Sequence, residues 1–177
     1  MSDRPERTGR PRFTGVTSFT DPQGRYEFRH PSDWFRADLD GDADGVMVGP
    51  ERKDEATHFA VAVTDLRVGV VAEDLEVLRG GFDDGLAVLA DLAVESVRDD
   101  TYNNIVKLER TFTFTDEGAT RKRRMWSLYA DHWQFTVVYQ GSSVEEFGYW
   151  LPMGNYCFTA FQLPLALWFA TDPVVSR

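Results

Sequence analysis

Apolar and polar residues alternate most regularly in "NIVKLERTFTFT". There Val106, Leu108, Phe112 and Phe114 interleave with Lys107, Glu109, Thr111 and Thr113. A period of two is that of a strand with one buried and one wet face. "DEGA" turns the chain back. "RKRRMWSLYA" and "HWQFTVVYQ" then complete a three-strand meander, the last member of which puts Trp133, Phe135, Val137 and Tyr139 on one side. Upstream, "THFAVAVTDL" alternates Phe59, Val61 and Val63 with smaller or polar neighbours. "RFTGVTSF" and "GRYEFRH" flank "TDPQG", whose Asp, Pro and Gly suit a tight turn, so a first hairpin is predicted that stops at Pro31. "DWFRADL" and "GVMVG" read as further short strands around an acidic loop.

The period changes twice. From Ala72 to Leu89 the apolar residues Leu75, Leu78, Phe82, Leu86 and Leu89 are spaced by three and four, one stripe of an amphipathic helix, with Glu73, Asp74 and Glu76 at its amino-terminal dipole end. Gly80 and Gly81 each cost a helix about 1 kcal/mol relative to alanine, and they are read as points where the helix approaches a sheet closely. Ser142 with Glu145 reads as a capping box, and Val144, Phe147 and Leu151 open the apolar face of a second helix that Pro152 kinks or restarts. Residues 147–171 carry no formal charge. Pro152, Gly154, Asn155, Gln162 and Pro164 argue against a membrane span there, because hydrocarbon offers no partners to freed backbone groups. A core helix with an apolar tail is expected instead.

Composition adds the scale. The 177 residues, 42% hydrophobic and 14% aromatic, suffice for one continuous core. Residues 13–177 are expected to form a single domain, preceded by a flexible basic arm at 1–12 that carries Arg4, Arg7, Arg10 and Arg12. The arm lacks the apolar stretch of a signal peptide or anchor, so a cytoplasmic protein is expected, and 16 Arg against 3 Lys suits a high-GC bacterial source. A net charge of -10 repels phosphate backbones and disfavours nucleic acid as a partner. Arg121, Lys122, Arg123 and Arg124 depart from that balance. Alternation sends at most two of them to one face, and they are read as a solvated strand edge.

The order hairpin, strands, helix, three-strand meander, helix, together with "YEFRHPSDW" (Tyr26, Phe28, Pro31, Trp34) after a turn, resembles the PsbP-like fold shared with the Ran-binding Mog-type proteins. The resemblance extends over most of residues 13–170. It implies an α+β domain: a mostly antiparallel sheet covered by two main helices in an α/β/α sandwich. It also implies an accessory or binding module for larger assemblies, without chemistry of its own. No catalytic or binding residue transfers, because the matched positions read as core.

The chemistry-bearing candidates are few. In "DGDADGVMVGPE", Asp40, Asp42 and Asp44 hold the first, third and fifth places of an EF-hand loop, Gly45 the sixth and Glu51 the twelfth. An EF-hand needs flanking helices, however, whereas Pro31, Gly49 and Pro50 and the apolar runs on either side read as strands. A solvated hairpin connection is therefore preferred over a calcium site. His30, His58 and His132 have no metal-ligand spacing. A Cys157 nucleophile served by His132 is disfavoured, since "GNYCFTAF" predicts burial that would blunt the thiol. No cofactor motif is present.

The leading expectation is a non-catalytic interaction module, not an enzyme, that binds a protein partner or a second copy of itself. Trp150, Tyr156, Trp168 and Phe169 of the carboxy-terminal segment serve as its anchors. A carrier or enzyme with an apolar-ligand cleft between sheet and helix is the alternative. Calcium-dependent binding through residues 40–51 is a third reading.

Overall fold

The computed structural model of the protein describes residues 6–170. Strands β1 (Val16–Thr20) and β2 (Glu27–Pro31) form the predicted hairpin, and β2 ends at Pro31. Strands β3 (Phe35–Asp38), β4 (Asp44–Gly49), β5 (His58–Asp65), β6 (Ala90–Tyr102), β7 (Ile105–Asp116), β8 (Ala119–Ala130) and β9 (Trp133–Gly141) make one antiparallel sheet in the order β3-β4-β5-β9-β8-β7-β6. Helix α1 (Leu75–Leu86), entered through a 3-10 turn at Ala72–Asp74, lies over β7 on one face. Helix α2 (Val144–Ala160) and the β1–β2 hairpin cover the other face, and a short helix α3 (Leu165–Phe169) follows. The class is α+β, with a helix on each side of an antiparallel sheet.

The sheet has two cores because its strands spend their apolar residues on both faces. Under α2, Phe28, Val46, Phe59, Val61, Phe135, Val137, Tyr139, Cys157 and Phe158 pack together. Under α1, Val106, Leu108, Phe112 and Phe114 of β7 meet Phe82 and Leu86, with Leu75, Leu78 and Leu89 around them. The predicted stripe of α1 is thus the stripe that packs. Its glycines do something other than expected: a Cβ on Gly80 or Gly81 would meet nothing within 4 Å. They lie on the wet side of the helix and bring it no closer to the sheet.

Strand β6 was not foreseen. "ADLAVESVRDDTY" shows no regular alternation, because β6 is an edge strand with most of its side chains exposed and its pairing with β7 slips twice, between Ala90 and Ala93 and between Val94 and Ser96. Edge exposure and bulges both erase the period of two. The β7–β8 turn has Glu117 at φ 49° and Gly118 at φ 77°, the two positive angles that a tight hairpin turn requires. The cap of α2 falls one residue later than the sequence suggested: Ser143 is the N-cap, and its hydroxyl accepts from the Glu146 N–H at 3.1 Å. Pro152 neither kinks nor restarts the helix enough to divide it, and α2 runs from 144 to 160 as one element.

Arg110 falls in the inward row of β7, between Leu108 and Phe112, where the pattern calls for an apolar residue; it is 1% exposed. Its guanidinium donates from Nε to Asp83 of α1 at 2.8 Å and from Nη1 to Asp99 of β6 at 2.5 Å, with its Cζ 5.4 Å from the centroid of the Phe82 ring. Arg79 of α1 donates to the other oxygen of Asp99 at 2.7 Å. One buried cation therefore ties the helix, the edge strand and the strand beside it together. Burial pushes the Asp99 carboxyl up, but the hydrogen bonds from Arg110 and Arg79 outweigh it and hold the group below the usual carboxylate range.

Candidate interaction site

The chain leaves α2 at Phe161, whose ring stacks on Tyr26 with centroids 5.8 Å apart, and Gln162 exchanges two backbone hydrogen bonds with Glu27 of β2. Pro164 then starts α3, as a residue without an N–H can. Leu167 turns into the core under α2, while Leu165, Trp168 and Phe169 share the outward side. These three are 75%, 37% and 43% exposed. Trp168 meets Tyr102, at the end of β6, edge-on at 6.5 Å, and Tyr102 is itself exposed. Together they form an apolar ledge at the end of the sheet. Below it is a groove of ≈ 500 Å³ bordered by Thr20, Tyr26, Glu27, Phe161 and Trp168. The Tyr26 hydroxyl is buried there with no hydrogen-bond partner among the described residues, and burial pushes its phenol up.

The other two expected anchors sit on α2 and are half-buried. Trp150 packs edge-on against Trp34 at 6.0 Å and donates its indole N–H to Glu146 at 3.2 Å. Tyr156 meets Phe13 edge-on at 5.8 Å. The four aromatics are therefore not one patch: Trp168 and Phe169 form the ledge, while Trp150 and Tyr156 are engaged within the chain. Tyr102 joins the ledge without having been foreseen, because its strand carried no periodic signal.

The basic run on β8 is not a strand edge, since β8 lies between β7 and β9. As alternation requires, Arg121 and Arg123 oppose Phe114 and Phe112 on the α1 face, and Lys122 and Arg124 point to the other. Each has a partner: Arg121 lies 2.8 Å from Asp116 and Lys122 2.6 Å from Glu95, and Arg123 donates to Gln140 at 2.9 Å and Arg124 to Glu109 at 2.8 Å. Glu109 also accepts from Trp126, and the Lys107 ammonium stands 4.6 Å from the Trp126 ring centroid.

Of the residues that spelled a calcium loop, 40–43 connect β3 to β4, and Asp44 and Gly45 already belong to β4, so the flanking elements are strands and not helices. Asp44 accepts from Arg25 at 2.6 Å, and Arg25 holds Asp21 at 2.7 Å. Glu51 lies past the end of β4 and accepts from Arg7 at 2.5 Å. Asp40 and Asp42 are exposed in the loop itself. Two of the four carboxylates are thus committed to arginines on different segments. Among the described residues no group of three or more His, Cys, Asp and Glu side chains is arranged to hold a metal ion.

Cys157 and His132 occupy different surroundings. Cys157 is fully buried in the core under α2, where burial pushes its thiol up to about 12. His132 sits in the β8–β9 turn against Asp131 at 2.9 Å. The thiol is expected to resist an alkylating reagent at pH 8 in the folded protein and to react in full once urea exposes it. Mass spectrometry of the labelled chain reads this directly, and fast labelling of the native protein would contradict the placement. His30 and His58 are both pushed down by burial and so favour the neutral ring.

No family profile matches the chain, and no curated protein matches it. Solved structures do. The solution structure of the cyanobacterial PsbP protein CyanoP from Synechocystis sp. PCC 6803 aligns with a TM-score of 0.59 at 10% identity, covering 90% of this chain and 98% of that one. LpqN of Mycobacterium tuberculosis, involved in cell envelope biogenesis, aligns at 0.55 with 11% identity over 85% and 91% of the two chains. A protein of Bacteroides thetaiotaomicron VPI-5482 aligns at 0.55 with 13% identity over 83% of this chain and 48% of its own. At such identities the likeness is one of architecture, and the architecture of this chain is PsbP-like.

Proposed function

We propose that the protein is a non-catalytic accessory module that binds a protein partner, or a second copy of itself, through the apolar ledge of α3. The observation that carries the reading is the ledge itself: Leu165, Trp168 and Phe169 on one side of a short helix, continued by Tyr102, all exposed. Adjacent exposed tryptophan, phenylalanine and tyrosine side chains are the groups that gain most from being desolvated in an interface. The sealed thiol of Cys157 and the buried or turn-bound histidines favour a binding role over catalysis. Native mass spectrometry and light scattering test the self-association arm, with Trp168→Ala/Phe169→Ala as the comparison. If the ledge is the interface, wild-type protein runs at twice the chain mass, or carries a partner from its source, and the double variant runs as a free monomer with unchanged circular dichroism. A wild-type monomer that retains nothing, and behaves as the variant does, would defeat the reading.

The groove beside the ledge favours a second reading, a small apolar ligand held near Tyr26 by a molecule that is a carrier. Roughly 300–1,000 Å³ is the range of small-molecule sites, and ≈ 500 Å³ falls within it. A bound organic compound that leaves on denaturation would favour the carrier over the protein interface.

A further inference from the structure

At the opposite end of α2 from the ledge, the chain builds a socket for one guanidinium. Glu146 lies in the first turn of α2 and is 4% exposed. Its two oxygens accept from Nε and Nη2 of Arg7 at 2.9 Å and 3.2 Å, the two-pronged match of a planar fork to a carboxylate. Glu51, from the segment after β4, takes a third contact from Arg7 at 2.5 Å. The Tyr149 and Trp150 rings complete the walls, with their centroids 4.9 Å and 5.5 Å from the Arg7 carbon. Carboxylates and aromatic faces together select arginine over lysine, because only the guanidinium offers a fork and a flat face at once.

The occupant is lightly tethered in comparison with its socket. Glu6, Thr8, Gly9 and Arg10 on either side of Arg7 are exposed, and Gly9 has φ 81°. A buried carboxylate such as Glu146 requires a cation beside it, yet nothing in the socket specifies which chain brings that cation. We propose that the socket is a binding site for an extended arginine-bearing segment of a partner protein, and that the residue 7 arm fills it in cis as a plug which the partner displaces. The site lies apart from the α3 ledge and does not depend on it.

The test uses the full chain with Arg7→Ala and a synthetic peptide of residues 4–13, RPERTGRPRF, followed by calorimetry. The variant is expected to bind the peptide at least tenfold more tightly than the wild type, whose own arm competes. The same peptide with its arginines replaced by neutral citrulline is expected not to bind, and Arg7→Ala/Glu146→Gln is expected to lose the site. Equal affinity of wild type and variant, or equal binding of the citrulline peptide, overturns the proposal. A wild-type dimer that Arg7→Ala dissociates also overturns it, since the arm would then sit in a second copy. If Arg7→Ala fails to fold, Arg7→Lys serves as the second variant: it keeps a cation over Glu146 but loses the fork, so its arm competes less well and it is expected to bind the peptide more tightly than wild type does. No gain over wild type there counts against the plug.

Discussion

Arg110→Ala is expected to lose about 3–5 kcal/mol of stability, the usual penalty for stranding the partners of a buried ion pair. Asp99, whose side chain is 7% exposed, would keep only Arg79 among the described residues, and Asp83 would lose its bond from β7. Urea unfolding followed by circular dichroism reads the loss as a lower midpoint at unchanged slope. Arg110→Met with Asp99→Asn removes both charges and restores apolar volume, so it should recover much of the deficit. A change below about 0.5 kcal/mol in Arg110→Ala, within the range of ordinary surface substitutions, would show that the network does not clamp the sheet. The acid side provides a second reading. Asp99 titrates below its unfolded value, so its contribution is present above the unfolded pKa of about 3.9 and drains away as the pH falls through the lower folded value. The wild type should therefore weaken on acidification more steeply than Asp99→Asn does.

Gly154→Ala should be the second large effect. Helix α2 crosses β9 at this residue so closely that a Cβ would lie 2.6 Å from Cγ of Tyr139 and 2.7 Å from both neighbouring ring carbons. The ring cannot swing away, since its hydroxyl donates to the Phe147 carbonyl at 2.7 Å and the residue is fully buried. Helix and strand must separate, at a cost of about 1–3 kcal/mol or more, seen as a lower melting temperature and a changed near-ultraviolet spectrum of Tyr139. Gly148→Ala on the same helix is the control. Its Cβ meets nothing within 4 Å, and the substitution should stabilise the helix by up to about 1 kcal/mol. If both variants behaved alike, the close crossing would be refuted.

The parts of the fold that bury one face announced themselves. Strands β5, β7 and β9 put Phe59, Phe112 and Phe135 at the period of the pleat, and α1 put Phe82 and Leu86 at the period of the helix, so these elements and their order along the chain followed from pattern, whereas the helix on each side of the sheet was what the family resemblance implied. Strand β6 did not, because a strand whose side chains mostly meet water is under no pressure to alternate. Arg110 shows the opposite limit: a cation in an inward row can be interpreted only once Asp83 and Asp99 are brought from α1 and β6, contacts that no local window contains. The candidate site was legible in part. A run without charge pointed to the tail that becomes α3, but which aromatics face outward depends on how Phe161 and Leu167 seat against β2 and the core. The guanidinium socket was invisible for the same reason, since residues 7, 51 and 146 meet only through folding.

Strand β6 also bears on how the molecule stays a finite object. Among the described residues its outer rim of amides and carbonyls has no neighbour, which on a straight, greasy ribbon of this length would invite copies to stack into a fibril. Two slips of register crook the ribbon, and Glu95, Arg98 and Asp100 place charge along it. The same irregularity that hid the strand from pattern reading thereby discourages runaway growth, so that concealment in sequence and colloidal safety have one origin.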